Sequence, residues 1–503
     1  MTTAPRKAIV IGAGMGGLSA AIDLARLGLE VTVLEKEPRE GGKARRVPVN
    51  GTLIDAGPTV FTMRWIFDGL FNDAGSRLED FLSFQKADVL ARHAWTSGGV
   101  LDLFADRKAT EEAIGVFAGP REAAGYRSFC DQSARIFSTL RDTFIADQRP
   151  TLFDVMKRVG FFRIGALLGT KPLTTFWHEL GSHFNDPRLR QLFGRYATYV
   201  GSSPWKTTAT LMLVAHVEQD GVWYVDGGMA AVASAMRKLA QNLGVKFQFD
   251  TRIEKIGLNG GSVSHLDVSI ADQTDRIDTE LVVFNGDVAA LADGLLEGQA
   301  NSATKPVAQK HRSLSAFTAC FTGTPQGLPL SFHNVFFADD YHAEFDALFS
   351  DQKITERPTV YLCAQDRQGG ELQAGESERF LALINAPANG DTKDYGPSYT
   401  EVLVNRIHAM FDQCGLSLNI DPAHSTITDP SGFHQLFPAT GGALYGRASH
   451  GMMASFAREG ARTKIKGLYL AGGSVHPGPG VPMAVMSGRL AATQIQADAA
   501  PSR

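Results

Sequence analysis

The chain is 503 residues long, 44% hydrophobic and 20% charged, a globular composition too long for one ordinary core, so two intertwined domains are expected. Its 49 Lys and Arg against 53 Asp and Glu give a net charge of −4, which excludes the basic footprint of a nucleic-acid binder. Cys130, Cys320, Cys363 and Cys414 are scattered without any CxxC pair, which excludes a disulfide framework and a zinc site and fits reduced thiols in a cytoplasmic protein.

The run Ala8-Ile9-Val10-Ile11 has the unbroken apolar content of a buried parallel strand and enters the turn Gly12-Ala13-Gly14-Met15-Gly16-Gly17. Gly12 permits the bend, Gly14 lets backbone N–H groups approach a pyrophosphate, and Gly17 lets the next helix pack closely. That helix is predicted over Leu18 to Leu27, with Leu18, Ala21, Ile22 and Ala25 at helical spacing and Gly28 as its C-cap. Its positive end points at the phosphates. A second strand, Val31-Thr32-Val33-Leu34, closes on Glu35, where a carboxylate accepts both hydroxyls of a ribose. A second glycine pair follows, Gly41 and Gly42, flanked by Lys36, Lys43 and Arg45. These cations suit the ligand's phosphates or ring edge, or else a solvated turn.

Further along, Lys157 to Lys171 places Phe161, Phe162, Leu167 and Leu168 between the cations Lys157, Arg158 and Lys171. This is the composition of a helix lying in a membrane interface, or of a core helix, and it is too short to cross a bilayer. Arg188 to Val200 reads as an amphipathic helix and Trp223 to Met229 as a strand and turn. Gly244 to Asp250 and Leu281 to Asp287 are strand-like by β-branched and aromatic content. Finally Gly467 to Ser474 forms a short buried strand and glycine turn, and the following stretch from His476 to Gly488 supplies a second anion-holding helix N-terminus. Two motifs at opposite ends building one site imply a discontinuous nucleotide domain, 1–75, 221–290 and 456–503, with a substrate domain, 76–220 and 291–455, inserted. No apolar run of about eighteen residues spans a bilayer, and no signal peptide precedes the first strand.

The second glycine pair, followed by Asp55-Ala56-Gly57-Pro58-Thr59, resembles successive motifs of flavoproteins of the amine oxidase and carotenoid desaturase kind. Together with the C-terminal motif and Gly227-Gly228-Met229, it makes nearly the whole chain similar to bacterial phytoene-desaturase-type enzymes. Leu90 to Trp95 and Leu101 to Phe104 resemble the branch acting on hydroxylated or methoxylated acyclic carotenoids. The resemblance implies an α/β fold: a discontinuous Rossmann-like FAD-binding domain with an inserted α+β substrate domain. It implies non-covalent FAD, because no cysteine lies in the C-terminal motif, held by Gly12, Gly14, Gly17, Glu35, Lys36, Gly42, Lys43, Arg45, Gly57, Pro58, Thr59, Gly472, Gly473, Val481 and Pro482.

It further implies 3,4-desaturation of a lipophilic 1-hydroxy or 1-methoxy carotenoid by a cytoplasmic enzyme bound peripherally to the inner face of the cell membrane, with quinone or oxygen as electron acceptor and no metal. The hard step belongs to the flavin, which accepts hydride, while a long apolar substrate is held in alignment. His476 is the leading proton-handling candidate, with Arg195 and Asp226 behind it. Each has a structural alternative: a hydrogen-bonded loop histidine, an ion-paired helix arginine, and a cap on the Gly227-Gly228 turn. Alternative functions are a phytoene-type desaturase, a carotenoid isomerase, a soluble amine oxidase and, from another class, a non-catalytic binder of prenyl lipids.

Overall fold

The computed structural model describes residues 6–159, 164–271, 273–296, 298–368 and 375–500. Strand Lys7–Ile11 lies at the centre of a five-stranded sheet ordered Leu468–Leu470, Val282–Phe284, Lys7–Ile11, Glu30–Leu34, Lys246–Gln248. Every pairing in it is parallel. Ala8, Val10, Val33, Val282 and Val283 are fully buried, as parallel strands covered on both faces require. Three stretches far apart in sequence therefore make one sheet, and each strand expected from an apolar run is present.

The first helix spans Met15–Arg26 rather than Leu18 to Leu27, because the backbone turns helical directly after Gly14. Gly16 and Gly17 thus sit inside the helix, where close packing overrides their poor helix propensity. A Cβ on Gly17 would lie 2.1 Å from the carbonyl oxygen of Gly12. The opposite face packs on the last helix, Val481–Ala499. There a Cβ on Gly488 would lie 2.2 Å from the Gly16 carbonyl oxygen. The Ser19 hydroxyl donates to the Val485 carbonyl (2.8 Å), and Arg489 pairs with Asp23 (3.1 Å).

Over the cavity side stands a seven-stranded sheet ordered Thr426–Thr428, Ser315–Gly323, Glu378–Ala386, Val360–Ala364, His333–Phe337, Val89–Trp95, Val100–Phe104. It is antiparallel except where His333–Phe337 meets Val89–Trp95. Helices Pro120–Leu140, Phe176–His183, Pro187–Gly194 and Leu213–Asp220 form a layer beside it. The helix expected from Arg188 to Val200 tightens halfway into a 3-10 helix, Arg195–Val200, ending at Gly201 with φ 64°. In the cation-bracketed stretch, helices Leu152–Val159 and Ile164–Gly169 are present, whereas Phe161 and Phe162 lie outside the described residues.

The contact between the first and last helices yields a prediction. Gly488→Val forces two backbones apart and should destabilise the protein by about 1–3 kcal/mol through overpacking. Thermal unfolding followed by circular dichroism checks this, and Gly165→Ala, in the helix Ile164–Gly169 where nothing lies within 4 Å of the added carbon, is the control.

Candidate active site

A cavity of about 1310 Å³ runs between the parallel sheet and the seven-stranded sheet. At one end the glycine turn, the first helix and Glu35 line it. Glu35 is 7% exposed. The Ala13 N–H donates to its Oε2 (2.7 Å) and the Glu37 N–H to its Oε1 (3.0 Å). Burial raises its pKa, the two backbone bonds acting the other way. These bonds fix the carboxylate while leaving it on the cavity wall, the placement a ribose diol needs. Gly12, Gly14, Gly42, Gly57, Pro58, Thr59, Gly472, Gly473, Val481 and Pro482 line the same cavity. The candidate cofactor residues from both chain ends are therefore brought together, except Gly17, which supports the turn from behind.

The cations do more than coat a turn. Lys43 donates to the Leu444 carbonyl (2.6 Å) over the Phe437 ring, Lys36 to the Leu436 carbonyl (2.8 Å), and Arg45 to the Thr428 hydroxyl (3.0 Å). Burial lowers the pKa of Lys43 and of Arg45. All three tie the second glycine loop to the segment 428–444 across the cavity.

The other end is different in character. Leu140, Phe144, Val155, Leu211, Val214 and Val217 make an apolar chamber. Between the chamber and the 57–59 loop stands a small polar group. Tyr361 hydroxyl shares short hydrogen bonds with the Thr59 hydroxyl (2.6 Å) and His333 Nδ1 (2.7 Å). Arg195 lies over the rings of Tyr361 and Tyr199, 5.3 and 5.5 Å from their centroids. Tyr199 and Tyr196 donate to the two oxygens of Glu218, at 2.8 and 2.7 Å.

The three catalytic candidates separate. Arg195 lines the cavity, and it has no ion pair among the described residues. His476 does not line the cavity: its neighbour Pro477 does, and the ring is buried edge-on against Phe144 with Nε2 at 3.0 Å from the Asp147 carbonyl oxygen. Burial depresses its pKa to about 4, so it stays neutral and weakly basic near pH 7. Asp226 is exposed, beside a separate cleft of about 190 Å³. Nor does it cap the Gly227-Gly228 turn, because Asp55 accepts from the Met229 N–H (2.6 Å) and fills that place.

Several site residues escaped the sequence reading. Asn285 is wedged among the glycines: a Cβ on Gly14 would lie 2.8 Å from its Oδ1, and its Nδ2 donates to the Ala471 carbonyl (3.1 Å). Arg458 donates to the carbonyls of Arg447 (2.7 Å) and Tyr445 (3.2 Å), and burial lowers its pKa to about 10. Thr251 to Glu254 line the wall near Glu35. Only the apolar run before Asn285 signalled its position, and no local motif marks Arg458, Tyr199, Glu218 or Tyr361.

A glycine turn on a parallel sheet, a fixed carboxylate at the end of the second strand and a second helix start from the far end of the chain are the parts of a flavoprotein of the amine oxidase-like fold. The chain belongs to the flavin-containing amine oxidoreductase family, whose pattern matches residues 15–496. It is 48% identical over 492 residues to hydroxyneurosporene desaturase of Rubrivivax gelatinosus, covering 98% of this chain and 93% of that protein. It is 29% identical over 501 residues to 1-hydroxycarotenoid 3,4-desaturase of a Flavobacterium species, covering 97% and 99%. Among solved structures, putrescine oxidase bound to putrescine shares the fold, with a TM-score of 0.59 at 14% identity over 98% of this chain and 99% of that one.

Two outcomes follow from this geometry. Glu35→Ala removes a charged acceptor worth about 1.5–3 kcal/mol, so flavin should dissociate roughly tenfold to a hundredfold more readily, read by fluorescence of the released flavin. The second concerns pH. Burial lowers His93 and His333 to about 3 and His450 and His476 to about 4. Because these folded values lie below the unfolded one, the stability they carry is complete above pH ~6.5 and is lost as pH falls toward 4. Each histidine contributes a slope of about 1.4 kcal/mol per pH unit in that window. His333→Gln should flatten the decline in thermal midpoint between pH 7 and 5, and an unchanged slope would show that His333 titrates normally.

Proposed function

We propose that the protein is an FAD-dependent carotenoid desaturase that introduces the 3,4 double bond into a 1-hydroxy or 1-methoxy acyclic carotenoid. The observation that carries this reading is a single cavity with a dinucleotide cradle at one end and an apolar chamber at the other. The two similarities to desaturases of hydroxylated carotenoids support the substrate class. On this reading the FAD-binding parts are 1–75, 221–290 and 456–503 and the substrate parts 76–220 and 291–455.

The residues fit the cofactor. Glu35 would accept from the ribose, the helix beginning at Met15 would offer N–H groups to the pyrophosphate, and residues 57–59 and 472–482, which line the same cavity, would hold the ring. No cysteine among the described residues lines the cavity, so a cysteinyl bond has no donor there, and the reading is of FAD held non-covalently. FAD, when bound, supplies the two-electron acceptor for a hydride from the substrate. The protein's own task is alignment: chamber walls such as Leu140 and Val217 exclude water and hold a rigid polyene by its whole length. Loss of hydride beside a polyene leaves a delocalised cation that sheds its proton easily, so Glu218 or water serves as the base. His476, turned away from the cavity, acts as a positioning residue that fixes the 474–480 loop against Phe144 and Asp147. Quinone or oxygen would serve as the final electron acceptor.

The substrate is taken from the inner face of the cell membrane. Among the described residues no helix is long and apolar enough to cross a bilayer. Near the chamber, however, Leu168 and Leu173 are 59% and 77% exposed, while Leu167 turns inward to line the cavity. Arg158 and Lys171 are already paired with Asp147 and Glu179 at 3.0 Å each, so the apolar residues rather than these cations dominate docking. Leu168→Ser with Leu173→Ser should reduce co-sedimentation with liposomes while bound flavin stays constant. Equal sedimentation would remove this surface from the membrane.

The test of function incubates the flavin-loaded protein with neurosporene, its 1-hydroxy derivative and phytoene in liposomes and identifies products by chromatography and mass. A product of the hydroxylated substrate that is two hydrogens lighter is expected. Faster conversion of phytoene, an isomer of unchanged mass, or purified protein that takes up no flavin would each replace the proposal by one of its alternatives.

A further inference from the structure

At the edge of the apolar chamber, Arg195 is an expensive residue. A guanidinium carries five N–H donors and accepts nothing, yet the hydrogen bond it makes among the described side chains is a long one, from Nη1 to the Tyr199 hydroxyl (3.4 Å). No carboxylate oxygen of the described residues lies within 4.0 Å of it. The carboxylates whose fields reach it are occupied elsewhere. Glu218 accepts from Tyr196 and Tyr199, and Glu344 accepts from the Thr359 N–H and hydroxyl. Aromatic faces of Tyr199 and Tyr361 hold the charge in place from two sides. The remaining donors are not sealed in protein, since Arg195 lines the cavity. A cation kept charged and fixed, with open donors facing a substrate chamber, is built to meet an acceptor on the ligand.

Its place in the cavity narrows that acceptor. Arg195 covers the ring of Tyr361, whose hydroxyl is bonded to Thr59 in the 57–59 loop. It is therefore one ring away from the loop assigned to the flavin. In a carotenoid desaturated between C3 and C4, only one carbon separates that bond from C1, so an oxygen on C1 lies in the same part of the cavity as the reacting atoms. We infer that Arg195, positioned by Tyr199, is the end-group anchor of this cavity, donating a hydrogen bond to the C1 oxygen of a hydroxylated or methoxylated carotenoid. This rests on the desaturase reading for the identity of the substrate.

Three consequences distinguish an anchor from a structural arginine. A donor that never accepts treats a hydroxyl and a methoxyl oxygen alike, so both substrates depend on it equally. A carotenoid ending in hydrocarbon buries the guanidinium without a partner and is rejected, as sites built for a polar substrate group reject analogues that lack it. The anchor also fixes how far the chain enters, so it selects the bond presented to the cofactor loop.

The experiment uses flavin-loaded wild-type protein, Arg195→Met, Arg195→Lys and Tyr199→Phe. Binding of 1-hydroxyneurosporene, its 1-methoxy analogue and neurosporene from detergent micelles is followed by the carotenoid absorption shift, with the flavin reduced by dithionite so that no turnover occurs. Ratios of kcat/KM are then measured on the oxidised protein. Wild type should favour both oxygenated substrates by about tenfold or more. Arg195→Met should bring the preference close to one, and Arg195→Lys should restore part of it. Should Arg195→Met fail to fold, Tyr199→Phe, which keeps the charge and the ring face but removes the hydroxyl that orients Nη1, should lower the ratio. A wild type without preference, or folded variants with the wild-type ratio, overturns the anchor. An Arg195-dependent binding preference in a protein that oxidises none of the three substrates sustains the anchor and removes the desaturase reading instead.

Discussion

Backbone-to-backbone approach between the two ends of the chain is the contact on which the rest of the structure depends. Gly17 and Gly488 leave no room for side chains where the first helix meets the glycine turn and the last helix, and Gly16 leaves none where it meets the Gly472 turn. Asn285, at the end of the strand Val282–Phe284, fills the narrow space that remains between the glycine turn and Gly472. Once these three stretches are drawn together, the parallel sheet has all five of its strands. Glu35 is then pinned by two backbone N–H groups at the mouth of the turn.

The cavity draws its chemistry from the same arrangement. A dinucleotide needs backbone donors and a carboxylate, which the parallel layer provides at the carboxyl ends of its strands. A long apolar molecule needs a wide, dry wall, which the antiparallel sheet and its helices provide. Placing the two layers face to face brings them into one continuous space, so a long, largely apolar chain can lie along the wall opposite the cradle. The few polar groups on the far side, Arg195, Tyr199, Glu218, Tyr361 and His333, are mutually bonded or stacked rather than ion-paired in the usual way. Burial beside Arg195 holds His93 and His333 at about 3, which leaves Arg195 as the charge that faces the chamber without a carboxylate partner.

Much of the frame was legible because its physics is local. An apolar run, a glycine turn, a helix and a terminal acid are consecutive in sequence, and so are the Gly472-Gly473 turn and the helix after it. What stayed hidden is set by tertiary contact. His476 lies in the right loop, but the direction of its ring is decided by Phe144 and the Asp147 carbonyl, which no spacing announces. Asp226 adjoins a glycine pair that needs an acid, yet Asp55, 174 residues before Met229 in sequence, supplies it. Arg195 was singled out without its purpose, since Tyr199 is four residues on but Tyr361 is remote. Asn285 and Arg458 sit in unremarkable stretches and become site residues only because buried carbonyls and glycines surround them.

The central claim is that one cavity brings a flavin and a carotenoid into hydride-transfer contact. Anaerobic mixing of the oxidised, FAD-loaded protein with one equivalent of 1-hydroxyneurosporene tests it most directly, with flavin absorbance and carotenoid mass followed in the same sample. Flavin absorbance should be lost at the same rate as a carotenoid two hydrogens lighter appears, one flavin reduced per double bond formed. Flavin that stays oxidised while bound carotenoid is unchanged, or product that forms without flavin reduction, would contradict it.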